Sequence, residues 1–214
     1  MRSYLTTLIL MIIAALSFGC VNPAADKPKA TVTNSAPESN SAKPAGTEVL
    51  VISPENSKVE FVAAKVTRSH QGSFKQFAGK IDLAPNSIPD SRVTIDIDTG
   101  SVVTDEPQLT DHLKTADFFH VAKYPKATFV STKIEPSNTG GATHTVTGNL
   151  ELHGVKKSIT FPATIQLTPD NAAVDAEFAI DRKDFGIVYA GKADDLIRDG
   201  VVIKLSLKVP RTRQ

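Results

Sequence analysis

From about Ser57 to Pro210 the chain alternates apolar and polar residues with a period of two, and Gly, Pro, Asn or Asp interrupts the pattern at short intervals. Successive side chains of a β-strand point to opposite faces, so this pattern specifies consecutive antiparallel strands with one buried face. Strands are predicted near 58–68, 73–84, 92–99, 126–135, 143–153, 155–167, 173–181 and 201–209. Eight strands can close into an antiparallel barrel that is filled by side chains or holds one small ligand. The all-β domain is expected over 48–210, with 211–214 as a tail.

The alternation also sorts the faces. Val59, Phe61 and Ala63 stand opposite Lys58, Glu60 and Val62, and Val93, Ile95 and Ile97 stand opposite Thr94, Asp96 and Asp98. Leu150 and Leu152 oppose Asn149 and Glu151, while Val201, Ile203, Leu205 and Leu207 oppose Lys204, Ser206 and Lys208. The first set of each pair is predicted to face inward. A polar exterior excludes a membrane-spanning barrel, whose outer face must be apolar. Gly140-Gly141 and His153-Gly154 supply the positive φ angles of tight hairpins, and Pro162, which lacks a backbone donor, is expected at an edge or a bulge.

The stretch 104–117 breaks the pattern. Pro107 stands early, Leu109 and Leu113 lie four apart, and Thr104 or Thr110 is placed to cap, so one or two short helical turns are expected. Phe118-Phe119 follows, two rings that can plug or line a barrel end.

Ahead of the domain, Arg2, an apolar run from Leu5 to Leu16 and a small residue at position 19 read as a secretory signal peptide over 1–19. A membrane-spanning helix is the competing reading, but the run is short and polar sequence follows closely. Leu16-Ser17-Phe18-Gly19-Cys20 resembles the bacterial lipobox, which implies that Cys20, the only cysteine in the chain, is acylated and anchors the protein to a membrane. Two or three acyl chains hold durably where one does not. Residues 20–47 are rich in Pro, Ala, Ser, Thr, Asn and Lys and lack aromatics, so they read as a disordered tether, with a reach of roughly 25–35 Å for the stretch after Cys20. The expected location is the bacterial cell envelope, on the periplasmic side of the outer membrane where two membranes exist.

Without the leader, Lys and Arg balance Asp and Glu, so no electrostatic footprint for nucleic acid is present. With Cys20 committed to lipid no internal disulfide can form, and the core alone must hold the domain. His70, His112, His120, His144 and His153 fall into no HExxH spacing, and neither a G-x-S-x-G elbow nor a phosphate-cradling glycine loop is present. Asp194-Asp195 and Asp199-Gly200 do not reproduce a calcium loop. The expectation is a non-enzymatic protein without cofactor or metal. Lys192 to Gly200 reads as the connection into the last strand, placed to form a flap over the barrel mouth.

Several segments in order resemble the YceI-like family. They are Ser57-Lys58-Val59-Glu60-Phe61, the run from Gly72-Ser73-Phe74 to Lys80-Ile81, and Asp111-His112-Leu113 continuing to Phe118-Phe119. Tyr124-Pro125-Lys126-Ala127-Thr128-Phe129, Gly148-Asn149-Leu150-Glu151-Leu152-His153-Gly154-Val155-Lys156-Lys157 and Arg182-Lys183-Asp184-Phe185-Gly186-Ile187 follow. The resemblance implies a lipocalin-like barrel that shelters a polyisoprenoid or other long-chain apolar lipid. The inward set then becomes the candidate wall: Phe61, Phe74, Phe77, Val93, Ile95 and Ile97 from the first strands, with Leu113, Phe118, Phe119 and Phe129 from the middle of the chain. Leu150, Leu152, Phe161, Phe178 and Phe185 complete it. His70, His112, His120, Tyr189, Arg182 and Arg198 are candidates for a lipid head group. The alternative is a surface-displayed interaction module in which the same rings simply fill a solid core. Expected partners are the lipid, the membrane through acylated Cys20, and a second copy of the chain as a homodimer.

Overall fold

The computed structural model describes residues 22–37, 44–85 and 87–211. The leader, Cys20 and positions 212–214 lie outside the described residues.

Strands dominate. In chain order they are β1 Thr31–Asn34, β2 Glu48–Ile52, β3 Ser57–Ala64, β4 Ser69–Phe74, β5 Phe77–Leu83, β6 Arg92–Asp98 and β7 Val102–Thr104. Then come helix α1 Pro107–Leu113, β8 Lys126–Pro136, β9 His144–Leu152, β10 Val155–Leu167, β11 Asn171–Asp181, the short pair β12 Gly191–Lys192 and β13 Asp195–Leu196, and β14 Gly200–Pro210. One antiparallel sheet runs β2-β5-β6-β8-β9-β10-β11-β14-β3-β4-β7, with β1 beside β10. The two ends of this path belong to one hairpin, because β2 and β3 are separated only by 53–56, and β4 and β5 only by 75–76. The sheet therefore curls back on itself around a single interior.

The expected count of eight strands is corrected to twelve. Three kinks account for most of the difference: the turn at 53–56, the break at 75–76, and the 3-10 turn Thr99–Ser101 each divide a long strand in two. A strand in a tightly curled sheet must bend sharply somewhere, and the bends fall where polar side chains can satisfy the freed backbone groups. Asn56 does this in the first kink, accepting from the Ser53 amide at 3.1 Å and donating to the Val51 carbonyl at 3.0 Å. In the third, Asp98 accepts from the Gly100 amide at 2.8 Å. The one α-helix among the described residues starts at Pro107, and neither threonine caps it. Glu106 is the N-cap residue, and the Thr104 and Thr110 hydroxyls instead bond each other at 2.9 Å.

The twelfth strand corrects the expected tether. Residues 28–34 run along the sheet and fill the gap where β10 and β11 part. β10 pairs with β11 only from Thr164 to Leu167, whereas Lys157 to Thr160 pair with β1. Pro162 sits between these two stretches, at the point where the neighbour of β10 changes and a missing amide donor leaves no ladder bond unmade. On the other side of the gap, Ala179 of β11 accepts from the Ala30 amide and donates to the Pro28 carbonyl, both at 2.8 Å. Composition alone argued for disorder, but the unpaired backbone of two parted strands provides the hydrogen bonds that the segment's own side chains do not. Ala30 is buried in the core.

Further along, Asn149 grips the Ala36 backbone with both ends of its side-chain amide, accepting at 3.0 Å and donating at 2.8 Å. Alternation places Asn149 outside, yet it is 1% exposed because this segment covers it. Lys27 closes the other end on Glu177 at 2.9 Å. The hydrogen bond from Lys27, joined by Lys204, holds the Glu177 carboxyl below its ordinary value against a small opposing effect of burial.

Two outcomes are expected. A chain beginning at Gly46 loses the seam strand and its backbone bonds, worth about 2–4 kcal/mol net, so its Tm should fall by about 5–15 °C relative to one beginning at Asn22. A carboxylate whose folded value is depressed stabilises above its unfolded value and ceases to do so as pH falls through the folded one. The Glu177 contribution to docking is therefore present at neutral pH and lost as pH falls below the ordinary 4.5. The protection factor of the Ala30 amide, its exchange rate corrected for the intrinsic slowing in acid, should fall over that acid range.

Candidate functional site

Inside the curled sheet lies an apolar cavity of about 170 Å³ that touches all three packed clusters of the core. Its middle is built by rings. Phe161 and Phe178 stack at 4.1 Å between centroids, and Phe129 leans on Phe161 at 5.8 Å. Toward the end that carries α1, Phe61, Phe74 and Phe119 form a chain of tilted and edge-on contacts at 5.8 and 5.6 Å. Such offset and edge arrangements match the positive ring edge to the negative ring face.

Two glycines make room for these rings. Gly72, on the strand beside Phe61, and Gly148, beside Phe129, each lie so close under the ring that a Cβ would overlap it. Both glycines lie within strands, Gly72 in β4 and Gly148 in β9.

Of the candidate wall residues, Phe61, Phe74, Ile95, Ile97, Leu113 and Phe118 line the cavity, as do Phe119, Phe129, Leu150, Leu152, Phe161 and Phe178. Phe77 and Val93 do not. They pack in the cluster with Leu50, Leu83 and Leu207 at the opposite end of the barrel. Phe185 does not either, being wholly buried behind the wall in the 3-10 turn Arg182–Phe185. Period-two reasoning finds which face a residue takes but not how far along the barrel the hollow extends. Val59, Ala63, Val201, Ile203 and Leu205 had been placed on the inward face and line the cavity too. Ala127, Ile159, Ile180, Ile187 and Ile197 also belong to the wall, the last two from a loop without any period.

Among the head-group candidates only Arg182 touches the cavity. It is buried, and its guanidinium donates to the carbonyls of Ile187 at 2.7 Å, Arg198 at 3.3 Å and Ile197 at 3.4 Å, and to Asp199 at 3.0 Å. Four of its five donors are engaged in holding the loop 187–199 against the barrel end. Arg182 thus acts as a clamp for the connection read as a flap, which Asp195 fastens further through Lys65 at 3.0 Å and Thr67 at 2.7 Å. Glu60 is the other charged residue on the wall.

His112 and Tyr189 sit one layer outside, both edge-on to Phe118 or to each other within 5.5 Å. His112 also bonds Asp117 at 2.8 Å. His70 is buried against Asp105 at 2.9 Å. Burial opposes ionisation of Asp105, but the bond from His70, the Gln71 amide and the charges of His70 and Arg68 together hold its carboxyl below the ordinary range. His120 packs on Tyr124. Among the described residues no three of His, Cys, Asp and Glu converge on a metal-sized point.

A second, open cleft of about 590 Å³ lies near the opposite end, bordered by Glu48, Leu83, Ile88, His144 and Arg211. Arg211 pairs with Glu48 at 2.9 Å, and burial pushes the His144 imidazole below its ordinary value.

Fold and hollow together define a class of protein: one curled antiparallel sheet wrapped around an apolar interior, with no polar constellation inside. Residues 50–209 match the YceI-like domain, three quarters of the chain, and the chain belongs to that family. A UPF0312 protein of Pseudomonas putida is 36% identical over 126 residues, covering 56% of this chain and 65% of that protein. Protein YceI of Salmonella arizonae is 36% identical over 122 residues, covering 54% and 62%. The matched stretch thus spans just under two thirds of these relatives' own lengths. Among solved structures, BcnA of Burkholderia cenocepacia superposes with a TM-score of 0.65 at 27% identity, over 73% of this chain and 98% of that one. A polyisoprenoid binding domain from Saccharophagus degradans has a TM-score of 0.61 at 20% identity, over 78% and 99%, and shares the fold.

Gly148→Ala should force the Phe129 ring off its position and destabilise the domain by about 1–3 kcal/mol. Urea unfolding of the variant, with the slope unchanged and the midpoint lowered, checks this.

Proposed function

We propose that the protein binds, carries or sequesters a long-chain apolar lipid of the isoprenoid type, without catalysis, while acylated Cys20 holds it to the bacterial envelope on the periplasmic side of the outer membrane. The observation that carries the reading is the chemistry of the wall. Aromatic and aliphatic side chains line the hollow, and the one buried cation on it is already bonded to three carbonyls and a carboxylate. Such a surface selects by the transfer of CH₂ groups out of water and asks for no hydrogen bond from its guest. The polyisoprenoid binding domain of the same fold supports this choice of guest, and the lipobox-like segment supports the anchor.

Magnitudes decide how the guest fits. At about 30 Å³ per water-sized volume, a hollow of about 170 Å³ accepts about six methylenes, which contribute about 5 kcal/mol at about 0.8 kcal/mol each. Association itself costs about 4 kcal/mol or more, so six carbons alone bind weakly. A chain of several isoprene units requires the rings at the α1 end, Phe74, Phe118 and Phe119, to rotate aside and lengthen the hollow. The same small volume favours the second reading, a surface-displayed module with a filled core.

Uptake of an apolar fluorescent probe separates the two. The carrier predicts saturable uptake, competition by prenyl lipids, and a tenfold or greater loss of affinity in Ala127→Leu, which fills the hollow without lowering Tm. No uptake by the wild type rejects the carrier and leaves the filled module.

A further inference from the structure

The docked N-terminal segment runs from Asn149 to one end of the barrel. Running back from Ala36, held by Asn149, the chain follows the β10–β11 gap to Lys27 on Glu177, and a turn over 22–26 then packs Ala24 against Gly200 at the start of β14. Cys20 is four residues before Ala24, a span of at most about 14 Å. Docking therefore removes most of the reach that a free tether would have, and fixes it at one place, the barrel end formed by 181–200.

That end carries an apolar surface. Val66, Val188 and Leu196 are 43%, 65% and 48% exposed, three of the six large apolar residues most open to solvent among the described residues. Val66 and Leu196 are joined by a backbone bond from the Val66 amide to the Leu196 carbonyl at 3.0 Å, and Val188 follows Ile187, whose carbonyl Arg182 holds. The other three, Val49, Val51 and Leu167, lie on β2 and at the far end of β10. Ile187 and Ile197, the chain neighbours of Val188 and Leu196, line the cavity.

We infer that the face bearing Val66, Val188 and Leu196 lies on the bilayer surface, positioned by the strand-docked segment, so that the hollow opens toward the membrane rather than toward water. The inference rests on the reading of Cys20 as acylated. It commits to a lipid surface as the occupant because Ala24, four residues after Cys20, packs on Gly200 at the same 181–200 end that carries Val188 and Leu196.

The chain contains no tryptophan, so single reporters can be introduced cleanly. Val188→Trp, Leu196→Trp and, at the far end, Leu167→Trp are prepared in the full acylated chain and reconstituted into phosphatidylethanolamine–phosphatidylglycerol vesicles with brominated acyl chains. The expected result is a blue shift and at least twofold quenching at 188 and 196, with emission at 167 unchanged. Equal quenching at all three positions, or at none, in protein that still floats with the vesicles overturns the orientation and leaves the anchor standing. Wild-type protein that fails to float, like Cys20→Ser, overturns both. Releasing the segment with Lys27→Ala, alone or with Asn149→Ala, should bring quenching at 188 down toward that at 167, and undiminished quenching in floating, folded protein shows that docking does not set the orientation.

Discussion

Where two neighbouring strands of a curled sheet part, each exposes a row of amides and carbonyls, and the rest of this structure depends on how that row is satisfied. β10 and β11 diverge beyond Pro162, and residues 28–34 enter the space between them. The inserted strand completes the hydrogen bonding, seals the interior from water on that side, and draws a low-complexity segment into the fold. The same backbone accounting explains why Asn149 is polar yet almost wholly buried: it faces not solvent but the main chain of Ala36.

The interior is a compromise between packing and hollow. Phe161 stacked on Phe178, with Phe129 beside them, gives dense contact at mid-barrel, and Gly72 and Gly148 let rings approach the sheet more closely than any side chain would permit. Dense packing stabilises a domain that the described residues hold together without a disulfide or a metal centre. What remains open is a narrow apolar space, and its walls come from every part of the chain. Accommodating a long guest then becomes a matter of side-chain rotation against packing energy rather than of opening a preformed channel.

Arg182 shows how a charge can serve such an interior. Its guanidinium is buried at the barrel end but directs its donors to carbonyls of the 187–199 loop and to Asp199. The charge thereby orders an otherwise irregular connection and brings Ile187 and Ile197 onto the wall. Removing the guanidinium would leave buried carbonyls unpartnered, a larger penalty than losing a surface ion pair.

Much of this was legible in the residues taken in order. Alternation identified most of the strands and the inward face, because a period of two maps directly onto the two sides of a sheet, but it left out β2 and β7 and ran through the turn between β3 and β4. It put Phe61 on the inward face, and the family resemblance then made Phe61, Phe129, Phe161 and Phe178 wall candidates; all four line the hollow. It could not distinguish wall from packed end, so Phe77, Val93 and Phe185 were misplaced; distance along the barrel axis depends on strand stagger, which local sequence does not encode. It missed Ile187 and Ile197, held in place by a distant arginine in a loop with no repeat. The sequence by itself determined an all-β chain with an apolar inner face and a family membership. Only the tertiary structure decided that 31–34 is a strand and that the hollow is small, because both depend on long-range backbone partners and on ring contacts between residues far apart in the chain.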